Sequence, residues 1–367
     1  MKENYVSRIK INGYKSIMSS DLKLRELNVI IGPNGGGKTN FIDFFQLLNH
    51  LFSRNLQEYI ANSHGPDEVL RFGREITPQL SGEISIGAKR YSFALSPTPD
   101  GRMMFTDESI SNEEFESRCM GSGHFETLID DYDDKIAHTK CRVFHFQDLG
   151  QGSRIMLPQP LNSNNKRLSN DASNLASYLY YLRENYNKSY TIIVKRIQVV
   201  APYFIDFHFN IFNDGDNQEM VELKWLERGY DTPHRLHNFS TGTLSFACLM
   251  TVLKSPSEIR DDIILFDEPD LNLHPTGLLI FANMLKVAKN YTQLIISTNS
   301  SEMLNQFEVE DLIVADRSGG ATFLSRINRD EIDEWAEHCT LSQIWENNII
   351  GGRPTFNPGQ IYVRDPD

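Results

Sequence analysis

Short apolar runs punctuate the chain at intervals: Leu27–Ile31, Asp262–Phe266, Gln293–Ser297 and Leu312–Ala315. Each is too short for a buried helix, and each is bounded by polar or turn-forming residues, so each reads as a buried strand. Between and beside them, Asn40–Leu51, Ser240–Leu253 and Thr276–Lys289 carry apolar residues at helical spacing. Strands alternating with helices predict a largely parallel sheet in the second half of the chain. The first half is patterned differently. Tyr5–Ile11 reads as a strand, and residues 80–96 alternate as a hairpin does, with Gly87 near its turn and a turn cluster at Pro97–Gly101. Arg142–Gln147 returns to strand-like composition. Residues 171–200 are helical in pattern, with Ser169 or Asn170–Asp171 as a cap, and 203–226 reads as two strands around a turn at Asn213–Asn217. There is no internal repeat and no sustained heptad pattern. The expected fold class is α/β, with a mixed sheet, an antiparallel β subdomain and a helical lobe, without a long coiled coil.

Two strings sit at the ends of these strands. Gly32–Thr39 reads GPNGGGKT, following Leu27–Ile31 and preceding the helical stretch from Asn40. It fits the phosphate-cradling pattern G-x-x-x-x-G-K-[ST] in the strand–loop–helix context which that pattern needs. Gly35, Gly36 and Gly37 let the backbone curve so that N–H groups point inward, with Asn34 and Asn40 flanking them. The helix start adds partial positive charge. Lys38 is expected to reach the β- and γ-phosphates, and Thr39 to place its hydroxyl on Mg²⁺. The second string is Ile263–Pro269, IILFDEP. An apolar strand ending in two carboxylates supplies a magnesium ligand, Asp267, and a base for the attacking water, Glu268. Four apolar residues and an Asp-Glu pair mean little alone; beside GPNGGGKT they predict binding and hydrolysis of ATP with Mg²⁺.

Composition narrows the setting. The chain has 367 residues, 40% of them hydrophobic, enough for one large domain or two modest ones. No apolar run approaches the ~18 residues of a membrane span, and the N-terminal stretch lacks the apolar centre of a signal peptide. Cys119, Cys141, Cys248 and Cys339 lie far apart without metal-ligand spacing, so reduced thiols and a cytoplasmic location are expected. Net charge is −13. Asp107–Asp134 holds ten acidic residues and one basic, Arg118, and reads as a solvated insertion. The acidic balance argues against strong non-specific DNA binding, although basic pairs occur at Lys166–Arg167 and Lys195–Arg196.

A third motif distinguishes among nucleotide-binding families. Asn238–Phe246 reads NFSTGTLSF, about two dozen residues before the Asp-Glu strand. It resembles the signature motif of ABC-type ATPases, in the SGT form of RecF-like and SMC-like heads. In that family one subunit's signature covers the γ-phosphate held by the other, which implies roles here for Ser240 and the N–H groups near Gly242. Read on its own, the string is equally an N-cap at Ser240 or Thr241. The resemblance extends to other positions. Tyr14-Lys15-Ser16 is similar to the F-K-S element near the nucleotide in SMC and RecF heads, which implies that Tyr14 packs on the base and Lys15 contacts phosphate; a core tyrosine and a surface lysine are the alternative reading of the same string. Gln147 stands where the Q-loop glutamine senses magnesium and water, with His145 competing for that role. Asp270–His274, DLNLH, stands at the D-loop, which crosses the dimer interface.

One position departs from the pattern. ABC ATPases carry a switch histidine after the next strand, whereas STNSSEML places Asn299 there. An asparagine amide can still hydrogen-bond a γ-phosphate but cannot take a positive charge. Slow turnover is therefore expected.

The layout implied is a single ABC-type head. Residues 1–100 form the P-loop and β subdomain, 101–141 the acidic insertion, and 142–262 the helical lobe with the signature. Residues 263–352 hold the Asp-Glu strand, the switch strand and the C-terminal sheet and helices, and 353–367 an extended tail. SMC proteins insert hundreds of heptad residues that are missing here. OLD-family nucleases append a Toprim nuclease of well over a hundred residues, whereas about fifty follow Ser318. Transporter ATPases usually carry LSGGQ. The sequence is most similar to standalone ATPases of bacterial defence operons, whose C-termini carry strings like Gly351-Gly352-Arg353. What that resemblance implies is a homodimer with composite ATP sites, able to build larger assemblies, that controls a separately encoded nuclease or toxin in anti-phage defence. A RecF-like DNA-binding repair clamp and a weakly hydrolysing scaffold are the rival readings.

Overall fold

The structure is a computed structural model that describes residues 4–112, 117–129, 136, 139–336 and 338–353. Residues 113–116 and 130–135 of the acidic stretch, and the tail beyond Arg353, lie outside the described residues.

Strands β1 (Val6–Tyr14) and β2 (Ile17–Lys23) form a hairpin, and β3 (Leu27–Ile31) leads into the helix Lys38–Phe52. Next come β4 (Leu80–Ile86), β5 (Lys89–Pro97), β6 (Met103–Ser111), β7 (Arg118–Gly121) and β8 (Cys141–Phe144). The lobe follows: β9 (Gln159–Pro160), helices Leu175–Asn185 and Asn187–Val200, β10 (Phe204–Asn213), β11 (Glu219–Glu227), β12 (His234–Arg235) and the helix Thr241–Leu253. Strand β13 (Ile263–Phe266), helix Pro275–Ala288, β14 (Gln293–Thr298), β15 (Leu312–Ser318) and β16 (Ala321–Arg326) complete the sheet.

Twelve strands join in one mixed sheet, ordered β7-β6-β5-β4-β1-β2-β16-β15-β3-β14-β13-β8. From β15 to β8 all neighbours are parallel. The apolar runs are continuous here because both faces are covered. In β13, Ile264 and Phe266 join the core under the helical lobe, while Ile263 and Leu265 join the core under the helix Lys38–Phe52. In β14, Leu294 and Ile296 divide from Ile295 in the same way. The run β7-β6-β5-β4-β1-β2 is antiparallel, and β9–β12 make a second, antiparallel sheet in the lobe.

Several sequence expectations are corrected. The acidic insertion is partly sheet: β6 and β7 lie inside it, and Glu108 is fully buried, accepting hydrogen bonds from Tyr91 Oη (2.6 Å), the Leu128 backbone (3.1 Å) and Thr127 Oγ1, with His124 Nε2 at 2.7 Å. Charge counting missed this because one buried carboxylate with enough donors is as stable as a solvated one. The helical stretch 171–200 breaks at Tyr186, and its first helix starts at Leu175 rather than beside Ser169. Strand β2 is not among the expected strands; it buries only Ile17, Ser20 and Leu22, so it carries no apolar run. Strand β8 ends at Phe144, before His145.

Candidate nucleotide site

The parallel register brings the chemistry to one edge. Ile31 pairs with Thr298, Phe266 with Ile296 and Phe144 with Phe266. The residues that follow these strand ends therefore emerge side by side at the carboxyl edge, where open α/β sheets bind ligands.

Gly32–Gly37 forms the loop there. The helix Lys38–Phe52 begins after Gly37 (φ 99°) with no side chain capping it, so its first-turn N–H groups face the loop. A Cβ on Gly37 would collide with the Thr322 side chain. Thr322 Oγ1 donates to the Gly36 carbonyl (3.0 Å) and contacts Ser16 Oγ (2.7 Å), which accepts from Asn40 Nδ2 (2.6 Å). Arg317 donates to the Gly35 carbonyl (3.1 Å). Thus β15 and β16 brace the loop from behind. Gly352 packs there too, with its carbonyl held by Trp345 Nε1 (3.2 Å), and a Cβ on it would approach Gly32 Cα to 3.5 Å.

Lys38 is buried, its ammonium donating to the carbonyls of Gly32 (3.0 Å) and Pro33 (3.1 Å) and standing 3.8 Å from Glu268 Oε1. Burial lowers its pKa; the charges of Glu268, Asp267 and Asp270 work the other way. Thr39 Oγ1 lies 3.1 Å from Asp267 Oδ2. Asp267 is in turn fixed by Ser297 Oγ (2.5 Å). A hydroxyl and a carboxylate side by side are hard oxygen donors, and Mg²⁺ takes one or two such ligands together with phosphate oxygens and water. The donor set therefore fits Mg²⁺.

Glu268 adopts a left-handed backbone (φ 47°), with its N–H donating to Ser297 Oγ (2.9 Å). Asn299 Nδ2 donates to Glu268 Oε1 (2.9 Å) and to Asn34 Oδ1 (2.6 Å). Asp270, three residues after Asp267, is pushed up to about 6 by burial.

Other expected positions lie differently. His145 Nδ1 is 3.7 Å from Asp267 Oδ2, and its Nε2 is 2.9 Å from Gln46 Nε2. Gln147 is exposed and makes no hydrogen bond or ion pair among the described residues. Lys15 is ion-paired with Asp43 (2.6 Å) on the P-loop helix. Of the two readings of Tyr14 the structure shows the core one: it is fully buried, with its hydroxyl 2.7 Å from Tyr59 Oη and its ring edge-on to Phe44, and cannot meet a base.

Ser240 precedes the helix Thr241–Leu253 without capping it, and its side chain is exposed. A Cβ on Gly242 would collide with the carbonyl oxygen of Asn272, itself left-handed (φ 67°). The signature and the D-loop thus touch through backbone. Sequence reading missed Ser297, Thr322 and Arg317. Ser297 carried a faint signal, a hydroxyl closing an apolar strand; Thr322 carried none.

Comparison with known proteins agrees with this geometry. Residues 27–305 match the family described as "AAA domain, putative AbiEii toxin, Type IV TA system". The chain belongs to this family. RecF, a DNA replication and repair protein of Aliivibrio fischeri, is 36% identical over 88 residues, covering 23% of this chain and 24% of RecF. Old nuclease of Escherichia phage P2 is 22% identical across 90% of this chain and 62% of its own length. The chain therefore spans about a quarter of RecF and under two thirds of Old nuclease. Among solved structures, an SMC head bound to the C-terminal winged-helix domain of ScpA aligns with TM-score 0.59 at 13% identity, covering 90% of this chain and 99% of that one. An SMC head with an extended coiled coil, bound to the C-terminal domain of ScpA from Pyrococcus furiosus, gives 0.57 at 13%, over 91% and 98%. The likeness to SMC heads is one of fold. Among the described residues no helix is long and apolar enough to cross a membrane.

Proposed function

We propose that the chain is an ATP-hydrolysing, dimeric switch. The observation that carries this is the contiguous set Lys38, Thr39, Asp267, Glu268 and Asn299 at one sheet edge, with Ser240 presented outward on a separate helix. Lys38 and the loop amides bind the triphosphate, and Thr39 and Asp267 hold Mg²⁺, which supplies charge neutralisation. Glu268 orients and polarises water, and Asn299 holds Glu268 in place. Ser240, exposed and not used as a cap, completes the site of a second copy. Hydrolysis removes the γ-phosphate contact and relaxes the pair, which is the differential contact such a switch needs. The 3.7 Å between His145 Nδ1 and Asp267 Oδ2 supports giving His145 the sensing role that sequence alone gave first to Gln147. The output is a separately encoded effector, and membership of a family named for AbiEii supports a role in bacterial defence.

Similarity to RecF supports a second reading, an ATP-dependent DNA clamp. Lys195 and Arg196 stand exposed on one lobe helix as candidate contacts.

One experiment separates these readings. The mass of the protein is measured with ATP and Mg²⁺, for wild type and Glu268→Gln, after co-expression with its genomic neighbours. An ATP-dependent dimer that retains a neighbour-encoded protein supports the switch. A monomer that shifts DNA only with ATP supports the clamp, and wild-type turnover no faster than that of Glu268→Gln supports a scaffold.

A further inference from the structure

With Tyr14 buried, nothing described above receives the base. Phe72 stands against the turn that leads into β16, the strand that braces the phosphate loop. Its side chain is an aromatic ring left 59% exposed, on a backbone at φ 58° that non-glycine residues rarely adopt. Packing does not explain the exposure, because the ring contributes to neither hydrophobic core. The surrounding segment is nonetheless well anchored. Arg71 N donates to the Gly13 carbonyl (3.1 Å), Lys15 N donates to the Val69 carbonyl (2.9 Å), and Leu70 bridges to Tyr14. The Arg71 guanidinium lies 4.3 Å from the Phe72 ring centroid. The ring also meets the turn between β15 and β16, where a Cβ on Gly320 would come within 2.9 Å of Phe72 Cζ. Two residues further on, in β16, Thr322 Oγ1 donates to the Gly36 carbonyl. The phosphate loop and the Phe72 ring therefore share one wall.

We propose that Phe72 is the platform on which the nucleobase of the bound nucleoside triphosphate stacks. The inference rests on the ATP-binding reading above. Arg71 on one side of the ring gives a cation–aromatic pair, and a purine laid on the open side extends that stack. Stacking uses the flat surface that every base has, so the platform favours purines for their larger area without reading base edges.

The test compares dissociation constants for ATP, CTP and inorganic tripolyphosphate in wild type, Phe72→Leu, Phe72→Tyr and Lys38→Ala. In the wild type, ATP is expected to bind more tightly than CTP. Phe72→Leu keeps apolar volume but lacks the flat ring, and is expected to weaken ATP about ten-fold, the order of one base–aromatic stack, while leaving tripolyphosphate unchanged. Phe72→Tyr is expected to retain wild-type ATP affinity. The proposal is overturned if Phe72→Leu binds ATP as the wild type does, or if it weakens ATP and tripolyphosphate equally. A wild type that binds neither ligand, or a Lys38→Ala variant that binds both unchanged, overturns the ATP-site reading itself and the platform with it.

Discussion

Asn299 donates from Nδ2 to Glu268 Oε1 at 2.9 Å, across the gap between two adjacent parallel strand ends. The same amide nitrogen reaches Asn34 Oδ1 at 2.6 Å, so one side chain ties the carboxylate proposed to activate water to the phosphate loop. Unlike a histidine it brings no charge to the site. Asn299→Ala is therefore expected to lower kcat by about ten-fold or more, with a smaller change in KM, because a carboxylate free to rotate loses its alignment. Steady-state ATPase assays decide this, and unchanged kcat and KM would remove Asn299 from the site.

Thr322 braces the loop through Gly36 and Ser16. Thr322→Val keeps the volume but removes both hydrogen bonds, each worth about 1 kcal/mol net. ATP affinity measured by calorimetry is expected to fall about five- to ten-fold, and the melting temperature of the free chain by a few degrees.

Gly242 lies against the Asn272 carbonyl so closely that no Cβ fits. Gly242→Ala must push the D-loop away from the signature helix. ATP-dependent dimerisation, followed by light scattering, is expected to be lost while the single chain still binds ATP. Retained dimerisation would mean that the two segments do not act together.

Asp270 has a folded-state pKa near 6, raised by burial from an ordinary value of 3.8. A carboxyl that binds its proton more tightly when folded destabilises the fold as pH rises between those two values. Asp270→Asn lacks this titration. Relative to wild type, the variant is expected to gain stability from pH 4 to pH 6, by an amount on the order of 3 kcal/mol at most, and to hold that gain above pH 7. Urea unfolding at these pH values measures it; a flat difference would show that Asp270 titrates normally.

Much of the phosphate side of the site was legible in the sequence. GPNGGGKT works through contiguous backbone, and IILFDEP places two carboxylates at a strand end whichever strands flank it. The α/β alternation likewise comes from local periodicity, because strands buried on both faces must be apolar throughout. Tertiary structure decided the rest. Tyr14 and Phe72 are both aromatic, yet one, at the end of β1, is buried against Tyr59 and Phe44 and the other stands open at the β15–β16 turn, a difference set by packing. The preference for His145 over Gln147 beside Asp267 followed from where β8 ends and how it registers on β13. Thr322 meets Gly36 across 286 positions of sequence. Contacts of that range depend on strand order and register, which a one-residue slip would reverse, and no local pattern encodes them.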